Sequence, residues 1–567
     1  MKLWDVKKPA CQLQEILARE LNISPIIAQL LINRGITSVS SAQEFLKSDL
    51  NALHDPFLLK DMDKAVLRIK EAIGKNEKVL IYGDYDVDGI TGVTLLYLVL
   101  KGLGADVHYY IPHRVEEGYG LNKEAIYNAY KTGVNLLIST DCGITSFEEV
   151  DYLNELRIDT IITDHHKPKD SLIPNAFAVI NPLRRDCPYP YKYLAGVGVA
   201  FKLAHGLCGE LSGLLQYMDL VSIGTVADIV PVTGENRAIV KYGLSSLSNT
   251  QRLGLKALIE VSGLKGRAIT ATHVGFIIGP RINAAGRIGS PETAVNLLLA
   301  GEYERALQLA NILDEGNRAR QRLEEKTLKE ALWKIEQEIN FKEDRVIVLN
   351  DASWHQGVTG IVASRIVERF YRPTILVVMK DGIGRGSGRS IRNFPLLDAL
   401  SQCEKFLEKY GGHEYAAGLV VLKENLMGFK DALNGIAHNT LQDKDLIPRI
   451  GIDMEIPLGE ISEGLIDQIE KLAPFGVGNP KPVFSSKGVS VKTIPRVMGR
   501  NTVKMWVTDG KVTCEAVGFN MASGELRLPE KDEKISLVYS LSINDWQGTS
   551  TLQLKMIDLK PSEPCQP

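Results

Sequence analysis

Apolar positions in this chain gather into short unbroken runs, and three of those runs end in acids or imidazoles. Lys78-Val-Leu-Ile-Tyr82 leads into Gly83-Asp84-Tyr85-Asp86-Val87-Asp88-Gly89, and Val134-Asn-Leu-Leu-Ile-Ser-Thr140 leads into Asp141-Cys142-Gly143. Ile161-Ile-Thr163 leads into Asp164-His165-His166. Short β-branched runs bounded by turn residues predict buried strands, and a helix-like segment follows each. The alternation continues from residue 61 to about 300, which predicts an α/β layer fold. In open parallel sheets ligands bind beyond the carboxyl ends of the strands, where these acids and imidazoles collect.

The rest of the chain changes period twice. Residues 1 to 60 predict a peripheral helical segment, with Leu13, Ile16, Leu17 and Leu21 at helical spacing. Residues 301 to 342 are rich in Glu, Arg, Leu, Ala and Gln and predict helix, with Gly316 as a break point. Two readings stand there: one strut of roughly 58 Å at 1.5 Å per residue, or two ordinary helices. Residues 343 to 445 predict a second, smaller α/β lobe. Its strands are Arg345-Val-Ile-Val-Leu349 and Thr374-Ile-Leu-Val-Val378, with glycine-rich turns at 382–390 and at Gly411-Gly412-His413. Residues 450 to 567 alternate in short segments, such as Val503-Lys-Met-Trp-Val507, and predict a small antiparallel barrel.

Composition narrows the function classes. At 567 residues, 44% hydrophobic and 24% charged, the chain is an ordinary globular sequence long enough for three or four domains. A net charge of -3 means any nucleic-acid surface must be local. One stretch qualifies: Lys481, Lys487, Lys492, Arg496, Arg500, Lys504 and Lys511 face a single acid, Asp509, with Phe484 and Trp506 nearby. Basic strands with aromatic faces suit single-stranded nucleic acid, and an ordinary solvated surface over core aromatics is the competing reading. The seven cysteines form no CxxC pair and their odd number fits a reducing cytosol. The first residues lack a signal-peptide core, and no apolar run reaches the ~18 residues of a membrane span.

The acids and imidazoles suggest a metal centre. Oxygen ligands with imidazole favour Mn²⁺ or Mg²⁺. Two ions some ~3.5–4 Å apart would clamp a phosphoryl group and activate water. Asp86, Asp88, Asp141, His165 and His166 are the candidate ligands, joined by Asp228, an acid set among apolar residues. Asp164 reads as the group that orients a histidine, and Asp84 as an accessory acid. Taken one at a time, each has an ordinary alternative as turn former, helix cap or core histidine. Their convergence on strand ends argues against it.

These motifs resemble the DHH phosphoesterase superfamily over nearly the whole chain. Asp84 to Gly89, Asp141-Cys-Gly143, Asp164-His-His166 and Asp228 are similar to its core motifs, in order. Gly411-Gly-His-Glu-Tyr-Ala-Ala-Gly418 resembles the DHH-associated domain. Gly279-Pro-Arg-Ile-Asn-Ala-Ala-Gly-Arg287, Trp354 to Arg365 and Arg385-Gly-Ser-Gly-Arg-Ser390 are similar to one branch, the RecJ single-strand-specific 5′→3′ exonucleases. Asn544 to Gly548 matches a late turn of that branch's oligonucleotide-binding (OB) barrel. The resemblance implies two α/β lobes joined by a long helix, a C-terminal OB-type barrel, and release of nucleotides from the 5′ end of single-stranded DNA. It implies a role in DNA repair and recombination in the cytoplasm, with a helicase and a single-strand-binding protein as partners. Asp84, Asp164 and His413 would serve catalysis. Arg114, Arg281, Asn283, Arg287, His355, Ser387, Arg389, Gly411 and Gly412 would hold the 5′ phosphate and nearby DNA. Lys492, Arg496, Arg500, Lys504 and Trp506 would hold the strand. Some relatives carry His where this chain has Tyr82, so no ligand is expected there. Two alternatives remain: a phosphoesterase acting on small or very short substrates, and a non-catalytic DNA-binding scaffold.

Overall fold

The computed structural model describes residues 2–114, 117–499, 501–523, 527–546 and 549–562. Arg500, Gln547, Gly548, Cys565 and the side chains of 544–546 lie outside the description, and so does the late-turn motif they carry. The chain forms two compact units: residues 54–228 with 243–448, and residues 2–53 with 229–242 and 449–567. No helix among the described residues is long and apolar enough to cross a membrane.

The first unit opens with a five-stranded parallel sheet. Its strands are β1 (Lys78–Gly83), β2 (Asp106–Tyr110), β3 (Val134–Thr140), β4 (Asp159–Thr163) and β5 (Ala178–Ile180), in the order β2-β1-β3-β4-β5. Val79, Ile81, Leu136, Ile138, Ile161 and Ile162 are fully buried, as expected when helices cover both faces of a parallel sheet. The order reverses between neighbouring β1 and β3, so their carboxyl ends open a crevice. Helix α1 (Val87–Gly102) starts in that crevice and is buried on most sides, because it is enclosed by α2 (Gly196–Cys208), α3 (Met218–Ala227) and the sheet. A Cβ on Gly92 would lie 2.5 Å from Thr140 Oγ1, so glycine lets α1 lie directly on the end of β3. β4 is followed by a loop rather than the expected helix, with only a short turn at Lys169–Ser171.

Helix α4 (Gly279–Ile288) packs on α5 (Tyr303–Glu338), which is one continuous helix of 36 residues, about 54 Å long. Gly316 does not break it. A Cβ there would meet Ala284 of α4 at 3.9 Å, an ordinary contact distance, so this position faces α4. α5 leads into β6 (Ile347–Asp351), α6 (Gln356–Phe370), β7 (Thr374–Lys380), β8 (Ile383–Arg389), β9 (Leu407–Gly412) and β10 (Ala416–Leu422). The second sheet runs β9-β10-β8-β7-β6, parallel only between β6 and β7. The glycine-rich stretch 382–390, expected as a turn, is mostly strand β8. Gly384, Gly386 and Gly388 alternate along it, and a Cβ on each would come within 2.8 Å of Met379, Leu419 or Leu396, respectively. Large neighbours fill the space that the glycines leave, while Arg385, Ser387 and Arg389 project from the other face.

The second unit holds β11 (Phe484–Val491), β12 (Arg496–Met498), β13 (Thr502–Thr508), β14 (Thr513–Gly518), β15 (Lys534–Trp546) and β16 (Thr549–Pro561). β11 pairs with β15 on one side and β13 on the other, which closes the sheet into a barrel. The N-terminal segment is not peripheral: its strand Leu3–Val6 pairs with Arg449–Ile452, and Ile27, Leu30 and Leu31 share one core with Phe484, Val503 and Tyr539. Arg237, fully buried in this unit, donates to the carbonyls of Phe45, Leu472 and Ala473 at 3.0, 2.8 and 2.9 Å and to Ser48 Oγ at 2.9 Å.

Candidate functional site

The acidic turn is built by α1. Asp86 caps the helix, accepting from the N–H groups of Asp88 and Gly89 at 2.9 and 3.2 Å. Asp88, two residues in and fully buried, accepts from the N–H groups of Gly196 and Val197 at 2.6 and 2.8 Å, so it is tied to the N-terminus of α2. Asp84 is buried behind the turn, and Gly89 leaves room for its backbone. Asp141 ends β3 in left-handed backbone, φ 63, a conformation that aspartate tolerates better than most residues. Its N–H donates to Thr163 O of the neighbouring strand at 2.9 Å.

Asp164 organises the imidazoles. Its Oδ1 accepts from the backbone N–H groups of His165 and His166 at 2.7 and 3.0 Å and lies 2.8 Å from His166 Nδ1. Its Oδ2 accepts from Ile144 N at 2.9 Å. Burial alone would raise its pKa, but the adjacent His166 and the backbone donors hold it down to about 2. Burial would lower His166, yet Asp164, Asp228 and Asp86 raise it to about 9. Burial and the neighbouring His166 push His165 down to about 4, which favours the neutral imidazole.

These groups converge. His165 Nε2 lies 3.2 Å from Asp141 Oδ1, 3.5 Å from Asp228 Oδ2 and 3.9 Å from Asp88 Oδ2. Three sets, Asp141/His165/His166, Asp88/His165/Asp228 and Asp84/Asp86/Asp141, each place their ligand atoms within 4.8 Å of one another. Asp84 Oδ1, Asp141 Oδ1, His165 Nε2 and Asp228 Oδ2 are buried without a hydrogen-bond partner. Burial, then mutual repulsion, raises Asp84, Asp141 and Asp228 well above the usual carboxylate range and Asp88 to about 7. Buried acceptors facing one another with no donor between them fit divalent cations, which supply the missing positive charge. Tyr82 stays outside this set, its hydroxyl donating to Gly120 O at 3.0 Å.

Arginines border the acids. Arg114 lies over the Tyr85 ring at 5.0 Å. Arg287 donates to Gly357 O at 3.1 Å; burial and then Arg114 and Arg320 lower its pKa to about 10. Burial and Arg114 lower Arg389, whose guanidinium would sit 3.0 Å from a Cβ on Gly360. Ser387 Oγ accepts from Thr359 at 3.2 Å, and His355 caps α6 by accepting from Gly357 N. Gly411 and Gly412 end β9, and the exposed His413 follows; burial of part of its ring, then His166 and Lys167, lowers its pKa.

Several expected DNA contacts are engaged elsewhere. Arg281 is held by Asp314 Oδ1 and Ile277 O at 2.9 and 2.7 Å, and Asn283 accepts from Val87 N at 3.2 Å. Both therefore brace α4 against its neighbours. In the barrel, Lys504 is paired with Glu515 at 2.5 Å, whereas Lys492 and Arg496 are exposed. Phe484 is buried and Trp506 is 41% exposed, so of the two aromatics Trp506 is available for stacking.

Sequence reasoning missed Tyr119, whose hydroxyl donates to Asp141 O at 3.2 Å and lies 3.2 Å from His166 Nδ1. It also missed Gly196, Val197 and Thr359. A glycine opening an apolar helix, Ala195-Gly196-Val197, was the available signal for the first two.

A parallel sheet that gathers acids and imidazoles at its switch point, followed by a mixed second lobe, defines the DHH class. Residues 78–225 match the model of the DHH family, N-terminal domain, and residues 343–439 that of the DHHA1 domain. Residues 452–558 match the RecJ OB domain. The chain is 40% identical over 566 residues to the single-stranded-DNA-specific exonuclease RecJ of Bacillus subtilis (strain 168), covering 99% of this chain and 71% of that protein. It belongs to the RecJ family. The crystal structure of RecJ in complex with Mn²⁺ from Thermus thermophilus superimposes with a TM-score of 0.85 at 31% identity, covering 99% of this chain and 80% of that one. The Mg²⁺ complex from the same organism gives 0.79 at 29% identity, covering 99% and 79%.

Proposed function

We propose that this chain is a divalent-cation-dependent exonuclease that hydrolyses single-stranded DNA from its 5′ end to nucleotides. The observation that carries the reading is the set of unpartnered buried acceptors from Asp84, Asp141, His165 and Asp228, bordered by Arg114, Arg287 and Arg389. Asp86, Asp88, Asp141, His165, His166 and Asp228 would hold two Mn²⁺ or Mg²⁺ ions. Such ions, when bound, polarise a phosphodiester and lower the pKa of water.

The remaining residues position the substrate. Asp164 fixes the orientation of His166, and Asp84 adds negative charge behind the turn. Arg114, Arg287, Arg389 and Ser387 hold a terminal phosphate, with His355 at the rim of the same pocket. A closed phosphate pocket beside the acids admits an end rather than a chain interior, which sets the polarity. His413 faces the departing nucleotide with Gly411 and Gly412. In the barrel, Trp506 stacks on a base while Lys492 and Arg496 neutralise phosphates. The setting is DNA repair and recombination in the cytoplasm, where a helicase and a single-strand-binding protein deliver the strand.

Digestion of 5′-labelled and 3′-labelled single strands in Mn²⁺, with and without a 5′ phosphate, tests the reading. Mononucleotides released first from the 5′ label support it. Release first from the 3′ label, or turnover confined to pyrophosphate and dinucleotides, overturns it.

A further inference from the structure

The long helix α5 carries a buried polar stripe that the proposed chemistry does not use. Asp314, Asn317, Arg320, Glu324 and Thr327 follow one another at helical spacing, and each is at most 8% exposed. Apolar residues would be expected on a face packed between neighbouring helices. Its middle is internally paired: Arg320 donates to Asn317 Oδ1 at 2.8 Å and to Glu324, and Arg365 of α6 reaches Glu324 at 3.6 Å. Arg320 Nε is the exception, buried with no hydrogen-bond partner.

Helix register places that guanidinium. Along α4 and α5, Arg281 meets Asp314 and Ala284 meets Gly316, so the two helices advance together. One further turn brings Arg287 level with Arg320. Arg287 is the residue that reaches the N-terminal end of α6 through Gly357 O, beside Thr359, Ser387 and Arg389. Arg320 is also among the charges that lower the Arg287 pKa. Glu324 is the carboxylate facing Arg320 and Arg365, and both of its oxygens are engaged there. A group of guanidiniums with a buried donor left over calls for an anion.

We propose that Arg320 is a further anion-binding residue of the terminal-phosphate pocket, and that Glu324 is a positioning residue that sets its reach. The proposal rests on the reading that this pocket takes a 5′ phosphate. On that basis the connecting helix supplies part of the end recognition, and the pocket is completed only when α4, α5 and α6 are in register.

The test compares kcat/KM on the same single strand bearing a 5′ phosphate or a 5′ hydroxyl, for the full chain in Mn²⁺. Arg320→Met is expected to cut the preference for the phosphorylated strand about tenfold. Glu324→Gln keeps an acceptor oxygen but removes the charge that holds Arg320, and is expected to lower the same ratio about threefold. Equal losses on both substrates overturn the proposal, because a purely structural residue moves both alike. Should Arg320→Met fail to fold, Arg320→Lys carries the test, since it keeps the charge but lacks the Nε donor: a reduced preference supports the proposal and an unchanged one overturns it. A wild-type enzyme with no 5′-phosphate preference overturns the pocket reading itself. A wild-type preference that survives in every variant overturns only the role of Arg320.

Discussion

Replacing Gly196 by alanine would separate folding from site geometry. A Cβ on Gly196 would lie 2.6 Å from Asp141 Cβ and 2.7 Å from its Oδ1, against the 3.4 Å at which ordinary contact begins, a shortfall of about 0.8 Å. Neither side can yield easily. Gly196 N donates to Asp88, and Asp141 is fixed by its left-handed backbone and its bond to Thr163 O. Two effects oppose each other in stability. Alanine gains up to about 1 kcal/mol over glycine in a helix, and overpacking costs about 1–3 kcal/mol. The difference is too small to unfold the chain. The site has no such compensation, because relieving the clash displaces either Asp141 or the Gly196 turn that holds Asp88, by most of an ångström. A misplacement of that size costs roughly 100-fold in rate, about 2.7 kcal/mol of barrier. The assay is steady-state nucleotide release from a 5′-phosphorylated single strand in Mn²⁺, with a thermal melt of the same sample. A large rate loss at a nearly unchanged Tm is expected. A variant within about threefold of wild type, with the same Mn²⁺ affinity, would refute the argument, since that leaves under 1 kcal/mol of effect.

Four further outcomes follow from the same geometry. Asp164→Asn removes the carboxylate that holds both histidines, so Mn²⁺ affinity by calorimetry should fall about 10- to 100-fold; unchanged affinity contradicts the orienting role. Asp88 is raised to about 7, well above its unfolded value, so the proton it keeps favours the cation-free fold below about pH 4, and that contribution is lost as pH rises to 7. On the proposed ligand set Mn²⁺ would replace that proton, so the Tm gain on adding Mn²⁺ should grow from about pH 5 to 8; a constant gain counts against proton displacement. Tyr119→Phe deletes the hydroxyl between Asp141 O and His166 and should lower kcat about fivefold, the worth of one hydrogen bond, with KM little changed. Arg237→Met strands the carbonyls of Phe45, Leu472 and Ala473 and should destabilise its unit by about 3–5 kcal/mol in urea unfolding; a loss under about 1 kcal/mol would show that the carbonyls find other donors.

The sequence alone determined the architecture of the sheet, because its evidence is local. Fully buried parallel strands must be unbroken β-branched runs, and a turn that binds a ligand must follow them at once. The acids and imidazoles of the proposed centre were legible for that reason, as was the barrel from its period of two. Only the tertiary structure decided which side chains serve a site and which serve packing. Arg281 and Asn283 sit in the same motif as Arg287, yet they brace helices while Arg287 borders the acids. The glycines at 384, 386 and 388 read as turn formers but lie in a strand, because large neighbours fill their space. Tyr119 and Arg320 carry no local signature, since what distinguishes each is a partner distant in the chain. Periodicity records how a segment meets solvent and core; contacts between segments exist only after the chain has closed on itself.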